Sequence, residues 1–163
     1  MDYKQYIQTR HNWPQKGIDF RDIQPLLQNN EVFKNAITDL GNLVNEIPDY
    51  WVGIESRGFI FATALSLQFG GGIKLIRKKG KLPNKRTFHT PYNLEYGKDE
   101  LEIGNDIREV GKKVVIVDDV FATGGTMEAA ERLCNACGFE IIDRVCLIDI
   151  VTRETKVKTL IKY

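Results

Sequence analysis

The strongest constraint on this chain is a run of four consecutive apolar residues, Val114, Val115, Ile116 and Val117, that ends on two adjacent carboxylates, Asp118 and Asp119. A short run of β-branched residues reads as a strand buried on both faces. A small-residue turn follows, Ala122, Thr123, Gly124, Gly125 and Thr126. It feeds a helical pattern with Met127, Ala130, Leu133, Cys134 and Cys137 on its apolar side. Strand, turn and helix N-terminus make an anion site, because unpaired backbone N–H groups and the helix dipole favour negative charge there. Gly124 and Gly125 admit a phosphate close to the backbone, and Thr123 and Thr126 add hydroxyl donors. No Walker pattern, G-x-x-x-x-G-K-[ST], is present. Two acids just upstream of such a cradle suggest a sugar phosphate, with the carboxylates reaching ribose hydroxyls or a metal held there. The plainer alternative is an ordinary βα turn with a capping threonine and incidental acids.

The 163 residues suit one domain with a proper core, spanning 1–163. Hydrophobic residues at 42% and charged residues at 28% fit a soluble globular protein. The longest apolar runs are too short to span a bilayer, and the N-terminus lacks the apolar core of a signal peptide. No membrane association is therefore expected. A net charge of +1 gives no reason to expect nucleic acid. Charge distribution says more. Ser56 to Leu94 holds no Asp or Glu, yet contains Arg57, Lys74, Arg77, Lys78, Lys79, Lys81, Lys85 and Arg86. Such a block in a neutral chain suggests a local polyanion site. Cys134, Cys137 and Cys146 are odd in number and lack metal-ligand company, so they read as small apolar residues in a reducing cytoplasm.

In chain order, residues 2–9 read as a short helix, and Asp22 is placed to cap another through Leu26 and Leu27. An amphipathic helix follows over roughly Asn30–Ile47, stopped by Pro48. Trp51–Ile54 is a strand ending at Glu55-Ser56-Arg57-Gly58. Phe59–Phe69 reads as a buried helix and Ile73–Ile76 as a strand, followed by a basic loop from Arg77 to Arg86. Tyr92–Leu94 and Leu101–Ile103 suggest a hairpin turning at Gly97-Lys98-Asp99. The central strand and its helix come next, then a strand over Ile141–Ile148 and a terminal helix over about Arg153–Ile161. Alternating strands and helices predict an α/β fold, a parallel sheet flanked by helices, with ligands outside the carboxyl ends of its strands. Glu55–Gly58, Arg77–Lys81 and Asp118–Thr126 all fall at such ends.

The central stretch resembles the phosphoribosyl-diphosphate (PRPP) signature of type I phosphoribosyltransferases. Four further segments resemble the adenine phosphoribosyltransferase family and keep its order. They are Gly17-Ile18-Asp19-Phe20-Arg21-Asp22-Ile23, Gly53-Ile54-Glu55-Ser56-Arg57-Gly58-Phe59, Arg77-Lys78-Lys79-Gly80-Lys81-Leu82-Pro83 and Tyr92-Asn93-Leu94-Glu95-Tyr96-Gly97. The resemblance implies the type I phosphoribosyltransferase fold, with a small N-terminal hood and base-binding segment (about 1–30), a PRPP-binding core (31–163) and a flexible β-hairpin loop. It also implies transfer of 5-phosphoribosyl from PRPP to adenine, giving AMP and pyrophosphate in purine salvage, with Mg²⁺ bound alongside PRPP.

Site roles follow from the same resemblance. Phe20 and Arg21 would meet adenine, Phe20 by stacking. Ser56, Arg57, Arg77, Lys78 and Lys81 would meet pyrophosphate, and the loop before Arg57 often holds a cis peptide, here Glu55–Ser56. Asp118 and Asp119 would hold the ribose hydroxyls and, directly or through water, the metal. Ala122 to Thr126 would bind the 5′-phosphate, Glu95 would act as acid/base, and Tyr96 would help close a lid. A homodimer is implied as well. Phe121 departs from the Leu common before Ala-Thr-Gly-Gly, and the tail after Ile150 shows no sign of the family's final strand. The competing readings are an oxopurine transferase and a non-catalytic PRPP or purine sensor.

Overall fold

The computed structural model describes residues 1–94, 97–105, 109–151 and 154–163. Among them, seven strands form one sheet and two form a small hairpin. The hairpin pairs β1 (Gln8–His11) with β2 (Asp19–Asp22) in antiparallel register, His11 opposite Asp19. Then come α1 (Gln24–Gln28), α2 (Asn30–Asn42), β3 (Tyr50–Ile54), α3 (Gly58–Phe69) and β4 (Gly72–Lys78). A long hairpin follows, β5 (Thr87–Leu94) and β6 (Gly97–Gly104). The chain closes with β7 (Lys113–Phe121), α4 (Gly125–Ala136), β8 (Glu140–Asp149) and β9 (Lys158–Lys162).

The large sheet runs in the order β5-β6-β4-β3-β7-β8-β9. Strands β4, β3, β7, β8 and β9 are mutually parallel, while β6 and β5 add an antiparallel edge beside β4. The apolar run occupies β7, and all four of its residues are fully buried. Val115 and Val117 face the core built with α1, α2 and α3. Val114 and Ile116 face the core that includes Met127, Ala130, Leu133 and Cys134 of α4. A strand covered on both faces needs apolar residues at consecutive positions, which is why this stretch does not alternate.

From β3 the chain first adds β4 on one side and later β7 on the other. The carboxyl ends of β3 and β7 therefore open on a topological switch point, where a crevice forms. Gly58, the first residue of α3, lets these ends approach. A Cβ there would lie 2.6 Å from the Val117 carbonyl oxygen and 3.1 Å from Asp118 Oδ1.

Four expectations are corrected. Residues 2–9 do not form one helix: a 3₁₀ turn covers Tyr3–Tyr6, and Gln8 onward pairs as β1. Helix α2 stops at Asn42, leaving Ile47 exposed. The β5–β6 hairpin is longer than expected, and Gly97–Asp99 lies in β6, with Leu94 opposite Gly97. Most consequentially, the tail forms β9 rather than a helix. It runs parallel to β8 (Val145 opposite Lys158, Ile148 opposite Ile161) and buries Val157 and Ile161. Pairing with β8 and burial against the sheet outweigh a weak helical periodicity in a segment containing Val, Thr and Ile. The three cysteines are buried and unbridged. Burial pushes the Cys134 thiol up to about 12 and also raises those of Cys137 and Cys146, so all three behave as apolar thiols.

Candidate active site

Where β7 leaves the core, its last turns present Asp118 and Asp119. The Asp119 side chain is buried, and Arg57 Nε stands 2.8 Å from its Oδ2. That approach is not aligned as a hydrogen bond, and Asp119 Oδ2 has no hydrogen-bond donor among the described residues. Asp118 Oδ1 accepts the Asp119 amide at 2.9 Å. Burial raises the pKa of both carboxyls. The Asp119 charge lifts Asp118 further, whereas the Arg57 guanidinium pulls Asp119 back down. Two adjacent acids share one cation here, and a bound cation or hydroxyl donors would favour their ionised form.

The turn after β7 reaches α4 through Gly124, which takes φ +92° and caps the helix without a side-chain hydrogen bond. That backbone is left-handed and suits glycine. Gly125, the first residue of α4, packs so closely on β5 that a Cβ would lie 2.6 Å from the Asn93 carbonyl oxygen. Ala122, Thr123, Gly124 and Thr126 line a small cavity of about 160 Å³ over this turn. A phosphate can be held there by backbone N–H groups and the helix N-terminus.

Adjoining it, a cavity of about 350 Å³ brings together Phe20 and Arg21 from β2, Ser56 and Arg57 from the β3–α3 turn, and Asp118 and Asp119. Lys78, Ala122 and Thr126 reach the same cavity. The Glu55–Ser56 peptide is cis, as the resemblance implied. The Arg57 guanidinium lies 4.8 Å from the Phe20 ring centroid and donates from Nη1 to the Arg21 carbonyl at 3.3 Å. Arg57 thus ties the hood to the strand ends. A larger depression of about 630 Å³ runs along the hood past His11 and Trp13. It shares only Phe20 with the smaller cavity and includes neither strand-end carboxylate nor the helix turn, so the chemistry belongs to the smaller one.

Arg77 and Lys81 are not brought to the cavity lining. Their cationic groups rest on Glu55, whose Oε1 meets Lys81 Nζ at 2.7 Å and whose Oε2 lies 3.4 Å from Arg77 Nε. Burial pushes the Glu55 carboxyl up, but Lys81, the Lys78 amide and Arg77 more than offset this and hold it below its ordinary value. Lys78 Nζ pairs with Asp99 at 3.0 Å. Glu95 and Tyr96 lie outside the described residues. Sequence reasoning did not find Trp13, whose ring meets Phe20 edge-on at 4.6 Å between centroids. It also missed Tyr163, whose ring lies 4.0 Å from the Arg21 guanidinium. Aromatic residues near the two chain ends were the only sequence trace of either contact.

A single Mg²⁺ prefers oxygen ligands and usually keeps waters and substrate phosphates, so two carboxylates beside a phosphate cradle suit it. Among the described residues, no cluster of three or more acidic, His or Cys side chains forms an all-protein cage.

Against known proteins, the phosphoribosyl transferase domain family matches residues 24–162. An adenine phosphoribosyltransferase from Thermotoga sp. (strain RQ2) is 46% identical, with both chains covered completely. The crystal structure of the adenine phosphoribosyltransferase from Thermoanaerobacter pseudethanolicus superposes with a TM-score of 0.91 at 35% identity, covering 99% of this chain and 98% of that one. The enzyme from Saccharomyces cerevisiae, solved with an imino-altritol bisphosphate and adenine, gives 0.85 at 32% identity, covering 97% and 96%.

The raised pKa of the paired acids makes a stability prediction. An acid with a raised folded pKa costs stability above that pKa, and the cost disappears below its ordinary value of about 4. Asp118→Asn should therefore raise the melting temperature of the ligand-free protein by about 2–6 °C at pH 7. The gain should shrink towards zero near pH 4. Calorimetric scans at both pH values test this, and a variant less stable at pH 7 would contradict it.

Proposed function

Because the chain belongs to the adenine phosphoribosyltransferase family, we propose that it transfers 5-phosphoribosyl from PRPP to adenine, giving AMP and pyrophosphate in purine salvage. The observation that carries this reading is the placement of the buried Asp119 carboxylate, ion-paired to Arg57, between a phosphate cradle and an aromatic–guanidinium pair in one crevice.

Asp118 and Asp119 accept the two ribose hydroxyls of PRPP, and the turn Ala122, Thr123, Gly124, Gly125 and Thr126 holds the 5′-phosphate. Ser56, Arg57 and Lys78 meet the pyrophosphate from the crevice lining, and Arg77 and Lys81 reach it from beside that lining. Phe20 offers its ring to adenine, and the neighbouring backbone, including Arg21, reads the base edge. As the anomeric C–O bond breaks, the ribose gains oxocarbenium character while the pyrophosphate gathers charge. The carboxylates of β7 favour the cationic ring, and Arg57 favours the departing anion. Adenine N9 then forms the new bond to the anomeric carbon as the base gives up its imidazole N–H proton to Glu95 or to solvent. Glu95 serves the purine nitrogens as acid or base, and Tyr96 helps the hairpin close over the site and exclude water. Asp118 and Asp119 would hold Mg²⁺, directly or through water, and the ion would supply neutralising charge to the diphosphate when bound.

A homodimer accompanies this reading. Helix α3 is apolar almost all round: Phe61, Ala62 and Leu65 are buried, yet Ile60 and Leu67 on its opposite side stay exposed, Leu67 by 83%. Ile73 and Leu75 on nearby β4 are exposed too. A surface helix with a polar outer face would be the norm for a monomer. No described helix is long and apolar enough to cross a membrane, and three unbridged cysteines suit a cytoplasmic setting.

Two outcomes test these assignments. With PRPP and Mg²⁺, a panel of adenine, hypoxanthine, guanine and xanthine should yield nucleotide from adenine alone. Product from an oxopurine only would overturn the base assignment, and no product from any base would overturn the reading. Leu67→Glu should convert a dimer into a folded monomer of about 18.6 kDa by light scattering. An unchanged dimer would place the interface elsewhere.

A further inference from the structure

We propose that Glu55 is an internal occupant of the pyrophosphate subsite, holding Arg77 and Lys81 until the diphosphate takes them and thereby weakening the grip on product. This inference rests on the transfer reaction proposed above. The Glu55 side chain is 9% exposed and is engaged on both oxygens. Oε1 meets Lys81 Nζ at 2.7 Å, while Oε2 accepts the Lys78 amide at 2.8 Å and lies 3.4 Å from Arg77 Nε. These contacts involve Arg77, Lys81 and the amide of Lys78, the three residues of this segment to which the resemblance gives a pyrophosphate role. One carboxylate immediately before the acid-free stretch therefore answers two of its cations, Arg77 and Lys81.

Beyond Lys78, whose amide Glu55 also accepts, the loop has an anchor of its own. Glu102, buried on β6, accepts the Lys81 amide at 2.9 Å and the Leu82 amide at 2.8 Å. Arg77 Nη1 donates to the Lys81 carbonyl at 3.0 Å. The backbone at Lys81 and Leu82 is thus set by Glu102, while the charges of Arg77 and Lys81 are answered by Glu55. Arg77 Nε–H remains buried without an aligned acceptor, so the Glu55 contact is a charge contact that leaves a donor to offer. A single ammonium cannot serve Glu55 and a diphosphate oxygen at full strength, so pyrophosphate binding exchanges one anion for another. The exchange lowers affinity for the product and hastens its departure, a step that limits turnover in many enzymes.

The test is the dissociation constant of Mg²⁺-pyrophosphate, by titration calorimetry, for the wild type and Glu55→Gln. Glutamine keeps the size and an acceptor for the Lys78 amide but removes the charge. Affinity for pyrophosphate should rise roughly 3- to 30-fold, the scale of two partly exposed ion pairs relieved together. Inhibition of AMP formation by added pyrophosphate should strengthen in parallel. Equal or weaker binding by a natively folded variant would overturn the proposal while leaving the transferase reading intact. A wild type that binds no pyrophosphate would remove both. A second measurement needs no variant: carboxyl-carbon NMR of the wild type should show the Glu55 resonance move as pyrophosphate saturates. A resonance that stays in place would equally overturn the exchange.

Discussion

Two carboxylates side by side at the end of a strand buried on both faces are the constraint from which the site follows. β7 must be apolar along its length to sit between two helical layers, so its polar chemistry is confined to the point where it emerges. There Asp119 is nearly buried and Asp118 adjoins it, with Arg57 the neighbouring cation that offsets their charge. Gly58 lets α3 start close enough for Arg57 to arrive, and the guanidinium in turn bridges to Phe20 and the Arg21 carbonyl of the hood. The hood, the turn before α3 and the acids of β7 are connected through this one ion pair. Such a pair is poor at stabilising a fold and good at fixing geometry.

The basic stretch from Ser56 to Leu94 is less open than its composition suggests. Folding places acids of β6 and the end of β3 against it. Glu55 takes Arg77 and Lys81, Asp99 takes Lys78, and Glu100 takes Lys79. The positive field directed at the crevice is therefore moderated within the chain itself. For an enzyme that releases a highly charged product, moderate affinity is an advantage, since uniformly tight binding slows release without lowering the barrier.

Much of the site was legible because its chemistry is local. The apolar run, the two acids and the Ala122–Thr126 turn are contiguous, and their geometry follows from strand–turn–helix physics alone. Helices α3 and α4 were readable for the same reason. What sequence left hidden depends on distant partners. The tail looked helical, yet Ile161 is decided by Ile148 on β8, and Gln8–His11 becomes a strand only through Asp19–Asp22. Trp13 against Phe20 and Tyr163 over Arg21 join segments whose spacing along the chain carries no signal. The role of Glu55 was likewise invisible, because a glutamate before Ser-Arg-Gly says nothing about which lysine it will meet.

Burial and their mutual charge raise the pKa of the β7 acids in the free protein, and PRPP with its metal should favour the ionised pair. Calorimetric titration of Mg²⁺-PRPP in buffers of different ionisation enthalpy measures the protons exchanged on binding. At pH values above the ordinary carboxyl value of about 4, the wild type should release more protons on binding than Asp118→Asn does, because binding favours the ionised pair. Equal proton release by the two proteins would contradict the account.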